Sequence, residues 1–198
     1  MTDQLYALVT FAIVSTGSPG GATSLATASG AQFGFVRSIP FISGIATALA
    51  FLMAASGTGL SAIILTVPSL EIGMKILGSA YLLWLAIVIL KAGPPNKTSV
   101  LNKAPIGFIG GAMLLLVNPK AWAMAVGVAG SFYGISSSTL TLAIIFGAVF
   151  AVAASLSMSM WTLLGSALTR LLRADWQWHL FNVMMAAMLV LSIASFWY

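Results

Sequence analysis

The chain has 198 residues, 60% of them hydrophobic and only 6% charged, with a formal net charge of +5. A mean hydropathy of +1.07 excludes an ordinary soluble domain and describes an integral membrane protein. The eight basic residues lie scattered between apolar runs, which argues against nucleic acid, while zero Cys and a lone His179 exclude a disulfide framework and a metal site.

A helix needs about 20 apolar residues to cross a hydrocarbon core of about 30 Å, and six segments are long enough. The first, about 5–28, is interrupted by Gly17-Ser18-Pro19-Gly20-Gly21. Its lead-in, Met1-Thr2-Asp3-Gln4, lacks the positive region of a signal peptide, so it reads as a retained span. A polar turn is expected over 29–38. The second span, about 40–66, is long enough to tilt or bend, with Ser56-Gly57-Thr58-Gly59 its weak point. Pro68 and Ser69 break the chain before the third span, about 72–90. Residues 91–105 form the one long polar connection. The fourth span, about 106–128, is followed by a turn over 134–138, a fifth span over about 140–164 and a last over about 178–197.

The first, third and fifth loops hold Arg37, then Lys91, Lys97 and Lys103, then Arg170 and Arg173; the second and fourth hold none. Lys75, just inside the third span, lies one turn from Glu71 and can pair with it. The positive-inside rule makes the odd loops cytoplasmic and puts both termini outside. The predicted fold is therefore all-α and membrane-integral: one transmembrane domain over 1–198, with a first repeat at about 4–91, a cytoplasmic linker at about 92–105 and a second repeat at about 106–198. Pro19 and Pro119 each lie about 14 residues into the first span of a three-span unit, after Ser18 and Asn118 respectively. Three spans per unit invert the second repeat against the first. Paired interruptions in inverted halves point to a transporter's substrate site.

The fourth span is the costliest. An ionised lysine at the bilayer centre costs about 2.5 to 3.5 kcal/mol on insertion scales. Lys120 lies about 12 Å or more from either end of its segment at 1.5 Å per residue. Either it snorkels to an interface and Pro119 merely kinks the helix, or both belong to a site. In the second reading, half-helices starting at Gly20 and Lys120 offer amide groups and positive dipole ends to a carboxylate. The carbonyls freed at about 15–17 and 115–117 offer the opposite field to an ammonium. A zwitterionic amino acid needs this pair. Lys120 is then the fixed cation for the carboxylate, or a group that takes up and releases a proton during transport. Gly20 and Gly21 allow close approach. Thr23 and Asn118 either bond the ligand or satisfy their own helix backbone. Asp3, Glu71 and Asp175 all lie at or near loops, so a dibasic substrate is disfavoured and a small neutral amino acid expected.

Other features have blander readings beside the functional ones. Gly17/Gly21, Gly30/Gly34, Gly107/Gly111 and Gly130/Gly134 have the spacing of close helix packing. Tyr81, Trp84, Trp122 and Trp161 either wall a cavity or face lipid. Ser155 and Ser159 line a polar path or bond back to their own helix. Trp176, Trp178 and His179 fit an interfacial belt better than a proton relay.

Four motifs then carry a resemblance over essentially the whole chain. Ser18-Pro19-Gly20-Gly21, the following Gly30, Gly34 and Gly44, Ile76-Leu77-Gly78-Ser79-Ala80-Tyr81-Leu82 and Asn118-Pro119-Lys120-Ala121 stand in order and in the matching spans. The chain resembles the LysE/RhtB superfamily of small amino-acid exporters. It departs at Gly21, where a second proline is usual, and at Met185, where glycine is frequent. The loop at 170–175 and the closing Ser195-Phe196-Trp197-Tyr198 are similar to the cysteine and O-acetylserine exporter branch. The resemblance implies a dimeric inner-membrane (plasma-membrane) exporter of amino acids or related metabolites, driven by proton motive force. The expected site comprises Ser18, Pro19, Gly20, Gly21, Thr23, Asn118, Pro119, Lys120 and, through the third-span motif, Tyr81. No cofactor, metal or nucleic acid is called for; the expected partners are the amino-acid substrate, the lipid bilayer and a second copy of the chain. A passive channel with anion preference set by Lys120 is the first alternative. A membrane-embedded hydrolase is the second, although no GxSxG, HExxH or paired intramembrane acids occur. A structural subunit would leave Lys120 and both breaks unexplained.

Overall fold

The computed structural model describes residues 2–58, 68–91, 105–172 and 174–197. The end of the predicted second span, most of the predicted linker with Lys97 and Lys103, and Arg173 and Tyr198 lie outside the described residues, as do the side chains of Glu71, Arg170, Ser195 and Phe196. The described residues form helices without strands: α1 Thr2–Gly17, α2 Gly21–Phe33, α3 Phe35–Gly57, α4 Pro68–Leu90, α5 Phe108–Leu116, α6 Pro119–Phe132, α7 Thr139–Leu171 and α8 Asp175–Trp197. A 3₁₀ turn, Tyr133–Ile135, follows α6 at the expected turn.

Three helices, α3, α7 and α8, are individually long and apolar enough to cross a membrane. Two bent pairs also qualify when each is taken together: α1 with α2, at 58°, and α5 with α6, at 65°. The apolar part of α4, Lys75–Leu90, is shorter than a full span. Large apolar side chains such as Ile13, Phe51, Leu77, Ile144 and Leu180 stand exposed on five different helices. So large an apolar exterior belongs against lipid. The core inside it is built on Leu8, Phe41, Ile45, Leu114, Phe146 and Phe150.

Both breaks fall where the sequence puts them, and for the expected reason. Proline has no N–H and its ring collides with the carbonyl four residues back, so inside a helix it kinks or breaks the run. The polar turn expected over 29–38 is a correction: helix runs on both sides of Gly34 alone, which takes φ 78°. That angle is in the left-handed region open to glycine. The polar side chains there are consumed locally, Ser29 and Ser38 bonding each other at 2.8 Å and Ser38 Oγ donating to Gly34 O at 2.8 Å. With its hydroxyls satisfied, the segment stays helical. Consequently α3 begins at Phe35 and holds Pro40 inside it, and it ends at Gly57, within the expected weak point, beyond which 59–67 lie outside the described residues.

Glycines bring the two halves into backbone contact. A Cβ added at Gly30 in α2 would run into Thr162 O of α7, and one at Gly165 in α7 into Thr27 O of α2. The same reciprocity joins Gly44 of α3 to Phe108 O of α5, and Gly111 of α5 to Phe41 O of α3. Only hydrogen at these positions lets the helices approach so closely. A third close approach is at Gly57 of α3, where an added Cβ would lie 2.7 Å from Ala143 N of α7.

Candidate substrate site

The two breaks meet. Lys120 Nζ donates to Ser18 Oγ at 2.7 Å, across 102 residues of sequence. Ser18 Oγ gives its own hydrogen to Ser15 O at 2.9 Å, which leaves its lone pairs for the ammonium. A Cβ at Gly20 would sit 3.6 Å from Nζ, so the bare glycine backbone lies beside the cation. The ammonium is thus turned inward, onto the other broken helix.

The two half-helix N-termini differ. At α6, Asn118 is the N-cap, its Oδ1 accepting from Lys120 N at 3.0 Å while its carbonyl accepts from Ala121 N at 3.0 Å. Pro119, at N1, has no amide to offer. The expectation that this terminus presents free amides to a substrate is corrected: its first turn is capped by its own asparagine. At α2 the cap is Gly20, in extended backbone, and its amide is held by Thr23 Oγ1 at 2.8 Å. Thr23 in turn donates to Gly20 O at 3.0 Å, so the hydroxyl is occupied in fixing the terminus. No side chain caps the helix otherwise, and the first-turn amides after Gly20 have no partner within the helix. The positive end with room for an anion is therefore that of α2, with the Lys120 ammonium beside it.

The carbonyl ends differ from expectation too. Thr16 O accepts from Ser157 Oγ at 2.7 Å and Gly17 O from Trp161 Nε1 at 3.2 Å. Leu115 O takes Asn118 N at 3.0 Å, and Leu116 O takes Trp122 Nε1 at 2.7 Å. These carbonyls are set loose by the breaks, and each has a donor already, Leu115 O taking the Val117 amide as well. Since a carbonyl carries two lone pairs, those of Thr16, Gly17 and Leu116 keep one. Trp122 and Trp161 accordingly cap half-helices rather than wall a cavity. Ser157 and Trp161 are the residues the sequence did not single out for this work; a hydroxyl and an indole spaced one turn apart on the fifth span are the signal.

Two cavities share this centre. The smaller, of about 50 Å³, is lined by Ser15, Thr16, Ser18, Thr23, Leu115 and Met158 among others. The larger, of about 600 Å³ and half open, extends past Pro19 to Ala123 of α6 and to Met188, Leu191 and Ser192 of α8. Gly20, Gly21, Asn118 and Lys120 border both. Neither lining contains a carboxylate.

A family model described as LysE type translocator matches residues 13–197. The chain belongs to that family. No curated protein and no solved structure matches it. As a LysE type translocator it is a multi-pass membrane transporter, of a family that moves amino acids or similar solutes rather than catalysing a reaction.

Of the residues expected at the translocator's site, Ser18, Gly20, Gly21, Thr23, Asn118 and Lys120 line the smaller cavity and Pro19 the larger, while Pro119 sits behind them as the first residue of α6. Tyr81 is not brought there: it lines neither cavity and stacks on Trp84, ring centroids 5.8 Å apart. Its neighbour Leu82 is the α4 residue that reaches the break, 3.0 Å from where a Cβ of Gly21 would be. Ser155 is exposed and Ser159 half-exposed, so the buried serine of that helix is Ser157. Trp178 is buried rather than interfacial, its Nε1 donating to Leu172 O at 3.2 Å, whereas His179 and Trp176 are exposed. Of the four GxxxG pairs, Gly30 and Gly111 make backbone-close contacts, while Gly17, Gly34, Gly107 and Gly130 face open space. The true partners lie across the bundle, not four residues away.

Proposed function

We propose that the translocator exports small neutral amino acids or close derivatives across the inner membrane by alternating access. In this reading six spans form two inverted three-helix repeats, with the loops of Arg37, Lys91 and Arg170 in the cytoplasm and both termini outside. The substrate carboxylate replaces Ser18 as the partner of Lys120 and takes the open amides at the start of α2. The ammonium enters the smaller cavity, of about 50 Å³. There it meets the remaining lone pairs of the break carbonyls and the hydroxyls of Ser15 and Thr16.

The observation that carries the proposal is the 2.7 Å bond from Lys120 Nζ to Ser18 Oγ beside a helix N-terminus whose glycine N-cap has no side chain to take the amides that follow it. A cation whose hydrogen-bonding partner is a neutral hydroxyl, next to free amides, suits an anionic group better than the serine does. The absence of any lining carboxylate disfavours a second positive charge on the substrate. The test is efflux of labelled neutral amino acids from proteoliposomes, wild type beside Lys120→Met, with and without an imposed proton gradient. Saturable efflux that responds to the gradient and is lost in a correctly inserted Lys120→Met protein is expected. Equal flux in the variant refutes the role of Lys120, and a non-saturating leak refutes alternating access.

A further inference from the structure

We infer that the last helix, α8, together with Gly21, selects the substrate's side chain and favours unbranched apolar chains of three or four carbons over the methyl of alanine. The inference rests on the proposed zwitterion site: once carboxylate and ammonium are held at Lys120 and in the smaller cavity, the side chain has one volume left to enter. That volume is the larger cavity, which starts at the same Gly20, Gly21 and Lys120 and runs between α6 and α8. At about 600 Å³, against about 50 Å³ for the smaller cavity, it leaves far more room than a methyl group fills.

The lining states the chemistry. Beyond the shared centre the walls are Pro19, Ala123, Met188 and Leu191, with one hydroxyl, Ser192. Ser192 donates its hydrogen to Leu189 O at 2.7 Å, so it is held as part of the helix wall. Asn118 Oδ1 is likewise spent on capping α6. A cationic side chain finds no counter-ion here, and a hydroxylated one exchanges its water for little more than the Asn118 amide. An apolar chain gains from every methylene it buries, by up to about fourfold in affinity each. Met188 adds an unbranched wall that adapts to an unbranched ligand. Gly21 sets the near edge: a Cβ there would lie 3.0 Å from Leu82 Cδ2 and 3.4 Å from Ser192 Oγ, where α2, α4 and α8 converge. These neighbours are side-chain ends, so alanine is accommodated by a small shift and at the first helical position adds helix propensity. It narrows the compartment without unfolding it.

The experiment measures apparent KM for alanine, norvaline and norleucine in proteoliposomes, in wild type, Leu191→Ser and Gly21→Ala, with Lys120→Met alongside. In wild type KM falls at least about tenfold from alanine to norleucine. Leu191→Ser, which puts a hydroxyl in place of one apolar wall of the compartment, flattens the series to within about threefold. Gly21→Ala moves the optimum from norleucine toward alanine. A flat wild-type series, or an undiminished slope in Leu191→Ser with an unmoved optimum in Gly21→Ala, overturns the inference while saturable Lys120-dependent transport leaves the zwitterion reading standing. Conversely, a steep series that persists in an active Lys120→Met protein keeps the side-chain compartment and refutes the carboxylate site. Transport of no neutral amino acid at all overturns both.

Discussion

Replacing Ser18 by alanine separates what the hydroxyl does for the empty protein from what it does for the loaded one. In the empty protein Ser18 Oγ is the hydrogen-bond partner of Lys120 Nζ among the described residues and ties the first break to the second. A hydrogen bond to a charged group contributes about 1.5 to 3 kcal/mol. Ser18→Ala removes it and leaves a half-buried ammonium without that partner. At about 2 to 4 °C per kcal/mol for a chain of this size, the unfolding temperature of the empty protein in detergent falls by about 3 to 12 °C. With substrate bound, the carboxylate occupies the position facing Nζ and the serine is no longer needed there, so the loaded variant and loaded wild type unfold at nearly the same temperature. The cycle then closes only if the variant binds substrate more tightly, by the same 1.5 to 3 kcal/mol, which is about tenfold to about a hundredfold in apparent affinity. Thermal unfolding against substrate concentration reads both quantities, and Ser18→Thr, which keeps the hydroxyl, restores wild-type values. An unchanged melting temperature, or a deficit that saturating substrate fails to recover, refutes the exchange of serine for carboxylate at Lys120.

The glycine contacts yield a matched pair. Gly111→Ala drives a Cβ into Phe41 O and lowers stability by about 1 to 3 kcal/mol, whereas Gly127→Ala, in the open interior of α6 with nothing within 4 Å, raises it by up to about 1 kcal/mol; thermal unfolding of both in one detergent decides. Asn118→Ala strips the cap from α6 and destabilises by about 0.5 to 2 kcal/mol, most of it recovered in Asn118→Ser, as read by the same melts.

Prolines inside apolar runs were legible because their effect is local: a missing N–H and a ring clash act within one turn, so Pro19 and Pro119 mark their breaks unaided. The partner of Lys120 was not legible as Ser18 in particular, since a contact across 102 residues leaves no trace in local spacing. The hydroxyls of 29–38 read as loop residues, yet serine and threonine can bond the carbonyl a turn behind them and stay helical, as Ser38 does to Gly34 and Thr27 to Thr23. Pairing glycines four apart assumed that one helix supplies a whole contact. In the structure one glycine of a pair serves, and its counterpart comes from another helix, Gly165 for Gly30 and Gly44 for Gly111. The tryptophans misled for a related reason. An indole in a membrane span has an apolar body that suggests lipid or ligand, while its single N–H is what Trp122 and Trp161 use, on carbonyls that exist only because the helices are broken.

The crossed glycine contacts also bear on how the chain is assembled during synthesis. Gly30 and Gly44 belong to helices made early, α2 and α3, but the backbones they pack against belong to α7 and α5, which follow the middle of the chain. Until those later helices arrive, the first ones carry grooves shaped for a backbone and filled by none. A growing chain in this condition offers small-residue surfaces to any passing helix, and its closure depends on contacts far apart in sequence, which are slow to form. A nascent protein arrested before α5 therefore carries three unfilled approaches, at Gly30, Gly44 and Gly57, and the arrival of α7 removes the last of them.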